Sequence, residues 1–293
     1  EIQSTAGLPG YALLDEERAH CLRLIAVCLD GELWQEVKGL VGAIDIYLER
    51  QGYWAEELTA VEMRLTAARQ AKDLRDKGWC LNNLGYTCTN RGEPEQALRW
   101  HEQSLPFCRE LGMRKEEGVT LTNMANIYQQ QGKYEQALQT YEQSLSIRQE
   151  VGDREGEGAT LNNMGMLYWA QGKYEQALPY YEQCLPLQRE VGDTIGEGTT
   201  LNNIAMIYRA QGEPGKALEY HEQALAIWQE LGDRAGEAGS CWNIGLTYED
   251  MGDLAKAEKY IAQAMQIEEA IGHPWLEQWR EGLERVRAAR RGA

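Results

Sequence analysis

The chain has 293 residues, more than one compact core usually holds, and its few prolines and abundant Ala, Leu, Glu and Gln are typical of helices packed on helices. Its 29 basic and 46 acidic residues give a net charge of −17 without a basic stripe on any predicted face, which excludes nucleic acid as a partner. No apolar stretch approaches the roughly 20 residues of a membrane span, and seven cysteines without a C-x-x-C pair predict a reduced, cytoplasmic protein.

The first predicted elements lie before residue 77. Residues 1–33 are predicted to form an N-terminal capping region with a single helix. Residues 34–76 read as a degenerate copy of the repeat that follows, because Asp45 and Glu57 stand where later copies have small residues and Lys72 replaces a turn glycine. These charged residues predict that residues 34–76 pack more loosely than the later repeats, or that they pack against a different kind of neighbour. Since the chain has neither an initiator Met nor a signal peptide, we expect residue 1 to lie inside a longer protein.

A period of 40 residues dominates residues 77–272, which are predicted to hold five repeats. Glycine recurs twice per period, so each repeat contains two turns and therefore two helices. Apolar residues step by three and four between the turns, as at Leu161, Met164 and Leu167, which gives each helix one apolar stripe that it cannot bury alone. An Asp after the second glycine, such as Asp193, is predicted to cap the next helix. The two glycine series are Gly52, Gly92, Gly132, Gly172, Gly212 and Gly252, and Gly112, Gly152, Gly192, Gly232 and Gly272.

The repeat matches a known pattern of apolar, small and aromatic positions. The matching residues of one copy are Leu161, Met164, Gly165, Tyr168, Gly172, Tyr174, Ala177, Tyr181 and Cys184. In this pattern the sequence resembles the tetratricopeptide repeats. The resemblance implies an all-α fold, a right-handed α-solenoid (superhelix) of stacked antiparallel helix pairs.

The last predicted element, residues 273–293, is an amphipathic helix without a second helix to pair with. A terminal element of a solenoid must cover the exposed apolar edge of the last repeat. We therefore expect this segment to be a C-terminal capping helix.

One asparagine position recurs on the first helix of every good repeat. Asn is a middling helix former, and helix propensity alone would favour Ala there. Two interpretations are open: hydrogen bonds between neighbouring repeats, or a row of amides that binds the backbone of an extended peptide. In the family that the sequence resembles, the first helix lines the concave face. We call this row the ladder, and it consists of Asn83, Asn123, Asn163, Asn203 and Asn243.

The remaining first-helix positions of the expected concave face are rich in amides, aromatic residues and Met, which concentrate at interaction surfaces. They predict a peptide or protein partner. The face lacks the Lys and Arg side chains with which some tetratricopeptide repeats bind a C-terminal carboxylate, so an acidic C-terminus is not expected. These additional candidate residues are Asn82, Asn162, Asn202, Trp79, Tyr86, Asn126, Met166, Trp169, Met206, Arg209 and Trp242.

No catalytic, metal or cofactor site is predicted. His101 and His221 occupy the repeat position of Tyr141 and Tyr181, which is a core aromatic position, and no two histidines have metal-ligand spacing. Glutamates recur once per repeat, as on a solvated helix face, and the glycine-rich segments lack the G-K-S/T of a phosphate loop. The sequence therefore predicts a protein that is not an enzyme and carries no cofactor.

The repeat subtype has its own resemblance. Its L-N-N-[LMI]-[GA] and G-x-Y-x-x-A-L segments resemble the repeats of bacterial STAND signalling ATPases and of kinesin light chains, and residues 34–73 resemble the region that joins the STAND ATPase arm to its sensor. This resemblance implies an autoinhibitory sensor domain, in which a peptide, protein or small-molecule inducer on the concave face releases an upstream ATPase domain of the same polypeptide. The alternative is a stand-alone adaptor that bridges proteins.

Overall fold

The computed structural model describes residues 9–271 and 276–292. These residues form 14 helices and no strand, and every helix after the first has 17 or 18 residues. The all-α class predicted from the sequence is confirmed. The helices group into two compact units, the first ending at Gly156 and the second beginning at Glu157, in the first turn of α8. The predicted domain boundaries after residues 33, 76 and 272 remain predictions.

The N-terminal unit contains seven complete helices, and each packs against the next along the chain. They are α1 (Pro9–Asp30), α2 (Trp34–Gln51), α3 (Trp54–Gln70), α4 (Leu74–Asn90), α5 (Pro94–Glu110), α6 (Arg114–Gln130) and α7 (Tyr134–Val151). In addition α1 contacts α3, and α4 contacts α6. The predicted N-terminal helix and the degenerate repeat are therefore α1 and the pair α2–α3.

The C-terminal unit repeats this arrangement, with contacts between consecutive helices from α9 to α14 and between α10 and α12. Its helices are α8 (Arg154–Ala170), α9 (Tyr174–Val191), α10 (Thr194–Ala210), α11 (Pro214–Leu231), α12 (Arg234–Asp250), α13 (Leu254–Ile271) and α14 (Leu276–Gly292). The predicted C-terminal helix is α14, which packs against α13.

Glycines end the helices as the sequence predicts. Ten of the eleven glycines in the two series have a positive φ between 64° and 78°, a backbone conformation that costs glycine little; Gly272 lies outside the described residues. The predicted aspartate caps are also present, since the carboxylates of Asp193 and Asp233 each accept a hydrogen bond from a backbone N–H three residues later, at 2.9 Å. Glycine and aspartate together therefore set the helix boundaries.

Lys72 occupies a turn position that holds glycine in the later repeats. It has a positive φ of 55°, although a Cβ makes this conformation unfavourable. We expect Lys72→Gly to raise the free energy of unfolding by about 0.5–1 kcal/mol, measured by urea denaturation. Lys72→Ala is the matched control, because it retains the Cβ and should leave the stability nearly unchanged. If both variants gain the same free energy of unfolding, the stabilisation does not come from relief of backbone strain at residue 72.

Candidate functional site

The ladder asparagines occupy the same place on α4, α6, α8, α10 and α12. Each of the five side chains is half-buried, at the edge between the core stripe and the exposed side of its helix. The next residue along each helix is a buried core residue, as at Leu84 and Ile204. Neighbouring first helices lie side by side within each unit, since α4 contacts α6 and α10 contacts α12. We call the side of these helices that carries the ladder the ladder face.

Most ladder amides have unused hydrogen-bonding capacity. Within the described part of the chain, the side-chain amides of Asn83, Asn123, Asn203 and Asn243 form no hydrogen bond with another residue. Each of these amides offers one acceptor oxygen and two N–H donors. One of the two interpretations of the ladder was that its amides form hydrogen bonds between neighbouring repeats. These four side chains do not form such bonds with the described residues.

The asparagines one position earlier make those hydrogen bonds instead. The Asn82 Oδ1 accepts from the Nδ1 of His101 on α5 at 3.0 Å and from the Thr120 hydroxyl on α6 at 3.1 Å. The Asn202 Oδ1 accepts from His221 Nδ1 at 2.8 Å, while its Nδ2 donates to the Ser240 hydroxyl at 3.0 Å. Asn82 and Asn202 thus connect three helices each. Both were predicted to bind the ligand, but these hydrogen bonds already occupy their amide groups.

Burial keeps the two histidines neutral. His101 and His221 are fully buried, which lowers the pKa of each to about 4. A neutral imidazole donates from only one nitrogen, so the hydrogen bond to the asparagine oxygen fixes the proton on Nδ1. The histidines therefore serve as core residues that orient Asn82 and Asn202. The corresponding residue of the repeat with Tyr181 in place of histidine is Asn162, and its Oδ1 is buried without a hydrogen-bond partner among the described residues.

Other candidate residues of the N-terminal unit are engaged by neighbours. The Trp79 ring lies 3.7 Å from the Arg64 guanidinium carbon, and the Tyr86 hydroxyl donates to Glu49 at 2.8 Å. The Asn126 Oδ1 accepts a hydrogen bond from the Tyr141 hydroxyl. Tyr86 lies three residues after Asn83 on α4 and remains exposed on the ladder face, where a partner can reach its ring.

The ladder face of the C-terminal unit contains an apolar pocket. Trp169 and Met166 are 39% and 44% exposed, and Met206 is half-buried. A cavity of about 360 Å³ lies between α8, the start of α9, α10 and α12, and the Arg209 guanidinium pairs with the Asp250 carboxylate at its edge. It is lined by Trp169, Tyr174, Met206, Arg209, Ala210 and Asp250. Sequence reasoning missed Tyr174 and Ala210, because the apolar spacing places Tyr174 on the core stripe.

Trp242, predicted to line the ligand surface, packs against the C-terminal helix α14. Its ring stacks on Trp279 of α14, with ring centroids 4.9 Å apart, and it is half-buried. Arg285 of the same helix donates two hydrogen bonds to Glu249. The capping helix thus covers this part of the α12 surface, and Trp242 has a packing role.

Three carboxylates on α2 and α3 form a cluster that the sequence indicates only through departures from the repeat. Glu57 of α3 is 3% exposed, and burial raises its pKa to about 7, assisted by repulsion from Asp45 and Glu49 of α2. Burial also raises the pKa of Asp45. The signal that could have revealed this cluster is the presence of two acids at positions where other repeats have Gly or Ala.

The described residues include no group of three or more His, Cys, Asp or Glu side chains arranged to hold a metal ion. None of the described helices combines the length and the apolar character that crossing a membrane requires. The chemistry of the ladder face is therefore that of amides, aromatic rings, thioethers and a few charged groups.

Tetratricopeptide-repeat family models match residues 78–111, 116–190 and 196–270. No curated protein sequence is significantly similar to the chain. Solved structures are similar: BtubC (BKLC) from P. vanneervenii has 24% identity and a TM-score of 0.68, over 75% of this chain and 94% of that one. Kinesin light chain repeats from Podosopora anserina have 18% identity and a TM-score of 0.56, over 66% of this chain and 94% of theirs.

A further similar structure is a STAND protein with a tetratricopeptide repeat sensor from Pyrococcus horikoshii. It has 18% identity and a TM-score of 0.76, and the match covers 96% of this chain but only 42% of the STAND protein. At these identities the similarity concerns the fold, and it confirms the predicted solenoid of paired helices.

Proposed function

This chain belongs to the tetratricopeptide-repeat family, and on that premise we propose that it is a non-catalytic scaffold that binds an extended peptide or protein segment along its ladder face. The observation that carries the proposal is a pair of side-chain amides in each unit, Asn83 with Asn123 and Asn203 with Asn243, that have no hydrogen-bond partner among the residues the structure describes. An extended backbone offers N–H and C=O groups at regular intervals, and an amide can bind both. A row of identical amides therefore suits a main chain better than a single small molecule.

Side-chain pockets would supply the selectivity that backbone contacts lack. The exposed Met166, the pocket between Trp169 and Met206, and the exposed ring of Tyr86 are apolar or aromatic sites beside the amides. Met and aromatic side chains are common at interaction cores, since they bury a large area and adapt to different partners. A partner segment with apolar residues between its backbone contacts would use both features.

The test is a selection of binding peptides from a random display library on the whole chain. We expect the selected peptides to bind a variant with alanine at Asn83, Asn123, Asn203 and Asn243 at least about tenfold more weakly, because each lost hydrogen bond costs about 0.5–1.5 kcal/mol. Isothermal titration calorimetry measures the affinities, and circular dichroism checks the fold.

The chain offers a matched control on its second helices. Gln103, Gln143, Gln183 and Gln223 are exposed amides with the same 40-residue spacing, so their replacement by alanine removes as many amides from the other side of the repeats. This control should keep the affinity within about twofold. Equal affinity of the ladder variant and the wild type, with both folded, would exclude the ladder from the binding site.

For the biological role, we propose the ligand-sensing, autoinhibitory domain of a bacterial STAND-type signalling ATPase. The similarity of almost the whole chain to part of a STAND protein with a repeat sensor supports this role. The partners would then be an inducer on the ladder face and an ATPase domain of the same polypeptide. In a parent protein of this kind, a selected peptide should stimulate ATP hydrolysis, and the ladder variant should not respond.

The alternative is a stand-alone adaptor, and the similarity to kinesin light chain repeats supports it. An adaptor bridges two proteins, so it needs a second surface besides the ladder face. A gene that encodes a P-loop upstream of these repeats would favour the sensor, and a gene without one would favour the adaptor.

A further inference from the structure

A second row of side chains runs beside the ladder. It lies three residues after the ladder position, and therefore on the same side of each first helix. Asn126 interrupts it on α6, and the other first helices have an apolar or aromatic residue there. Single exposed apolar residues are common on protein surfaces, but a row at a fixed repeat position indicates an interaction surface. We call it the apolar row, and it consists of Ile46 and Tyr86 in the N-terminal unit and Met166, Met206 and Leu246 in the C-terminal unit.

In the C-terminal unit this row adjoins the cavity of the ladder face. Met206 lines the cavity together with the rings of Trp169 and Tyr174. Because α8, α10 and α12 all contribute to the lining, these three first helices are neighbours along the face. Packed helices lie about 8–10 Å apart. A segment that crosses them therefore meets one residue of the apolar row about every 8–10 Å.

This interval distinguishes among the conformations of a bound segment. In a β-strand alternate residues face the same side, so side chains that point to the row lie about 7 or 13 Å apart. In polyproline II, three residues complete a turn and advance about 9 Å, so every third residue points to the row. An α-helix returns to the same side after seven residues, or about 10.5 Å. The interval therefore suits polyproline II or an α-helix better than a strand.

The ladder amides decide between these two. The side chains of Asn203 and Asn243 have no hydrogen-bond partner among the described residues. A bound α-helix satisfies its backbone groups internally and would leave both amides unused. Polyproline II has no internal hydrogen bonds, and its carbonyl groups can accept from the two N–H groups of each amide. Amides beside an apolar row therefore favour polyproline II.

The charges on this part of the ladder face indicate an uncharged partner. Arg209 pairs with Asp250, and Glu249 accepts two hydrogen bonds from Arg285. These pairs balance the charge at the edge of the cavity, although the whole chain has a net charge of −17. A segment without charged residues complements such a surface, because it needs no ion pair and separates none of these partners.

We propose that the ladder face of the C-terminal unit binds a proline-rich segment in the polyproline II conformation, with an apolar side chain at every third residue. This inference rests on the proposed function and names the class of segment. One apolar side chain enters the cavity beside Met206, and its neighbours three residues away pack on Met166 and Leu246. Proline-rich segments suit aromatic-lined grooves because they are already ordered before binding.

Three synthetic peptides of twelve residues test the spacing by isothermal titration calorimetry on the whole chain. The first has four Leu-Pro-Gln triplets. The second has the same composition, but its leucines are alternately two and four residues apart, which places them on one side of a strand. The third has four Leu-Ala-Gln triplets, which favour a helix. We expect the first peptide to bind at least about tenfold more tightly than either of the others.

Variants of the chain test the apolar row. The double variant Met166→Ser, Met206→Ser should lose the preference for the Leu-Pro-Gln peptide. The matched control is Ile195→Ser, Met251→Ser, which changes two exposed apolar residues of the same unit outside the row. This control should keep the preference within about twofold. Circular dichroism checks that both variants are folded.

The outcomes separate this inference from the proposed function. Equal affinity for the first two peptides, tighter binding of the Leu-Ala-Gln peptide, or a preference that survives in the methionine variant would overturn the polyproline II segment. The same holds if none of the three peptides binds to a chain that binds library-selected peptides through the ladder, and the proposed function would then stand. A library that yields no binding peptide would overturn both.

Discussion

Replacing Glu57 with glutamine should stabilise the protein above pH 7 by about 2–3 kcal/mol and should leave its stability nearly unchanged below pH 4.5. Glutamine keeps the shape of the side chain and its acceptor for the Thr87 hydroxyl, but it carries no charge. The unfavourable ionisation of a carboxyl group that is 3% exposed then disappears. Urea denaturation of the whole chain at a series of pH values measures the effect.

The sign follows from the direction of the pKa shift. The folded protein raises the pKa of Glu57 from 4.5 to about 7, so the folded state binds this proton more tightly than the unfolded state. As the pH rises from 4.5 to about 7, the unfolded chain ionises first and wild-type stability falls. Above this window the loss is complete. The Glu57→Gln variant should lack the part of this fall that comes from Glu57 and should keep the part that comes from Asp45.

Asp45 lies beside Glu57 and burial raises its pKa too, so the difference in stability between the wild type and Glu57→Gln isolates the contribution of Glu57. The groups that affect it are Asp45 and Glu49, both acidic, and the hydroxyl of Thr87. Glu62→Gln changes an exposed carboxylate of the same helix and should retain the wild-type pH dependence. A Glu57→Gln variant that is less stable than the wild type at about pH 8, or whose stability falls as steeply as that of the wild type between about pH 5 and 7, would show that Glu57 is ionised without penalty in the folded protein.

The carboxyl group of Glu57 costs the folded protein stability once it is ionised. Alanine at this position in every regular repeat shows what packing alone would select.

The fold could be predicted because its rules are local. A left-handed glycine ends a helix regardless of what surrounds it, and ten of the glycines of the two series do so. The apolar stripe, read from spacing alone, identified buried residues such as Leu161 and Met164. The position of the ladder on each helix followed from the same spacing.

The partners of the polar side chains could not be predicted in this way. The hydrogen bonds of Asn82 join residues 19 and 38 positions away, and one of them depends on a histidine at 101 where two other repeats have tyrosine. Trp242 is covered because Trp279 comes from a helix outside the repeat pattern. Such pairings depend on which residues meet between helices in one particular repeat. A consensus taken over all repeats does not contain this information. The departures from the consensus, Asp45 and Glu57 above all, were the better guide to unusual chemistry.

Replacing Arg148 with alanine should destabilise the protein by about 3–5 kcal/mol, since it removes one partner of a buried ion pair. Arg148 is 6% exposed and donates from Nη1 to Asp153 Oδ2 at 2.7 Å and from Nε to the Ser144 hydroxyl at 3.2 Å. Burial opposes the ionisation of Asp153, but Lys115 and Arg148 together hold its pKa below the ordinary value. The glycine at position 156 leaves room for the guanidinium, because a Cβ there would overlap Nη1.

The neighbouring repeat provides the matched comparison. At the position of Arg148 it has Gln188, a neutral side chain that is equally buried. The double variant Arg148→Gln, Asp153→Asn should therefore recover most of the stability that Arg148→Ala loses, because no buried charge is left without a partner. Arg99→Ala, at an exposed position of α5, should change the free energy of unfolding by less than about 0.5 kcal/mol. If the double variant is as unstable as Arg148→Ala, the loss comes from packing around the guanidinium and its alkyl chain, and the buried charge is not its cause.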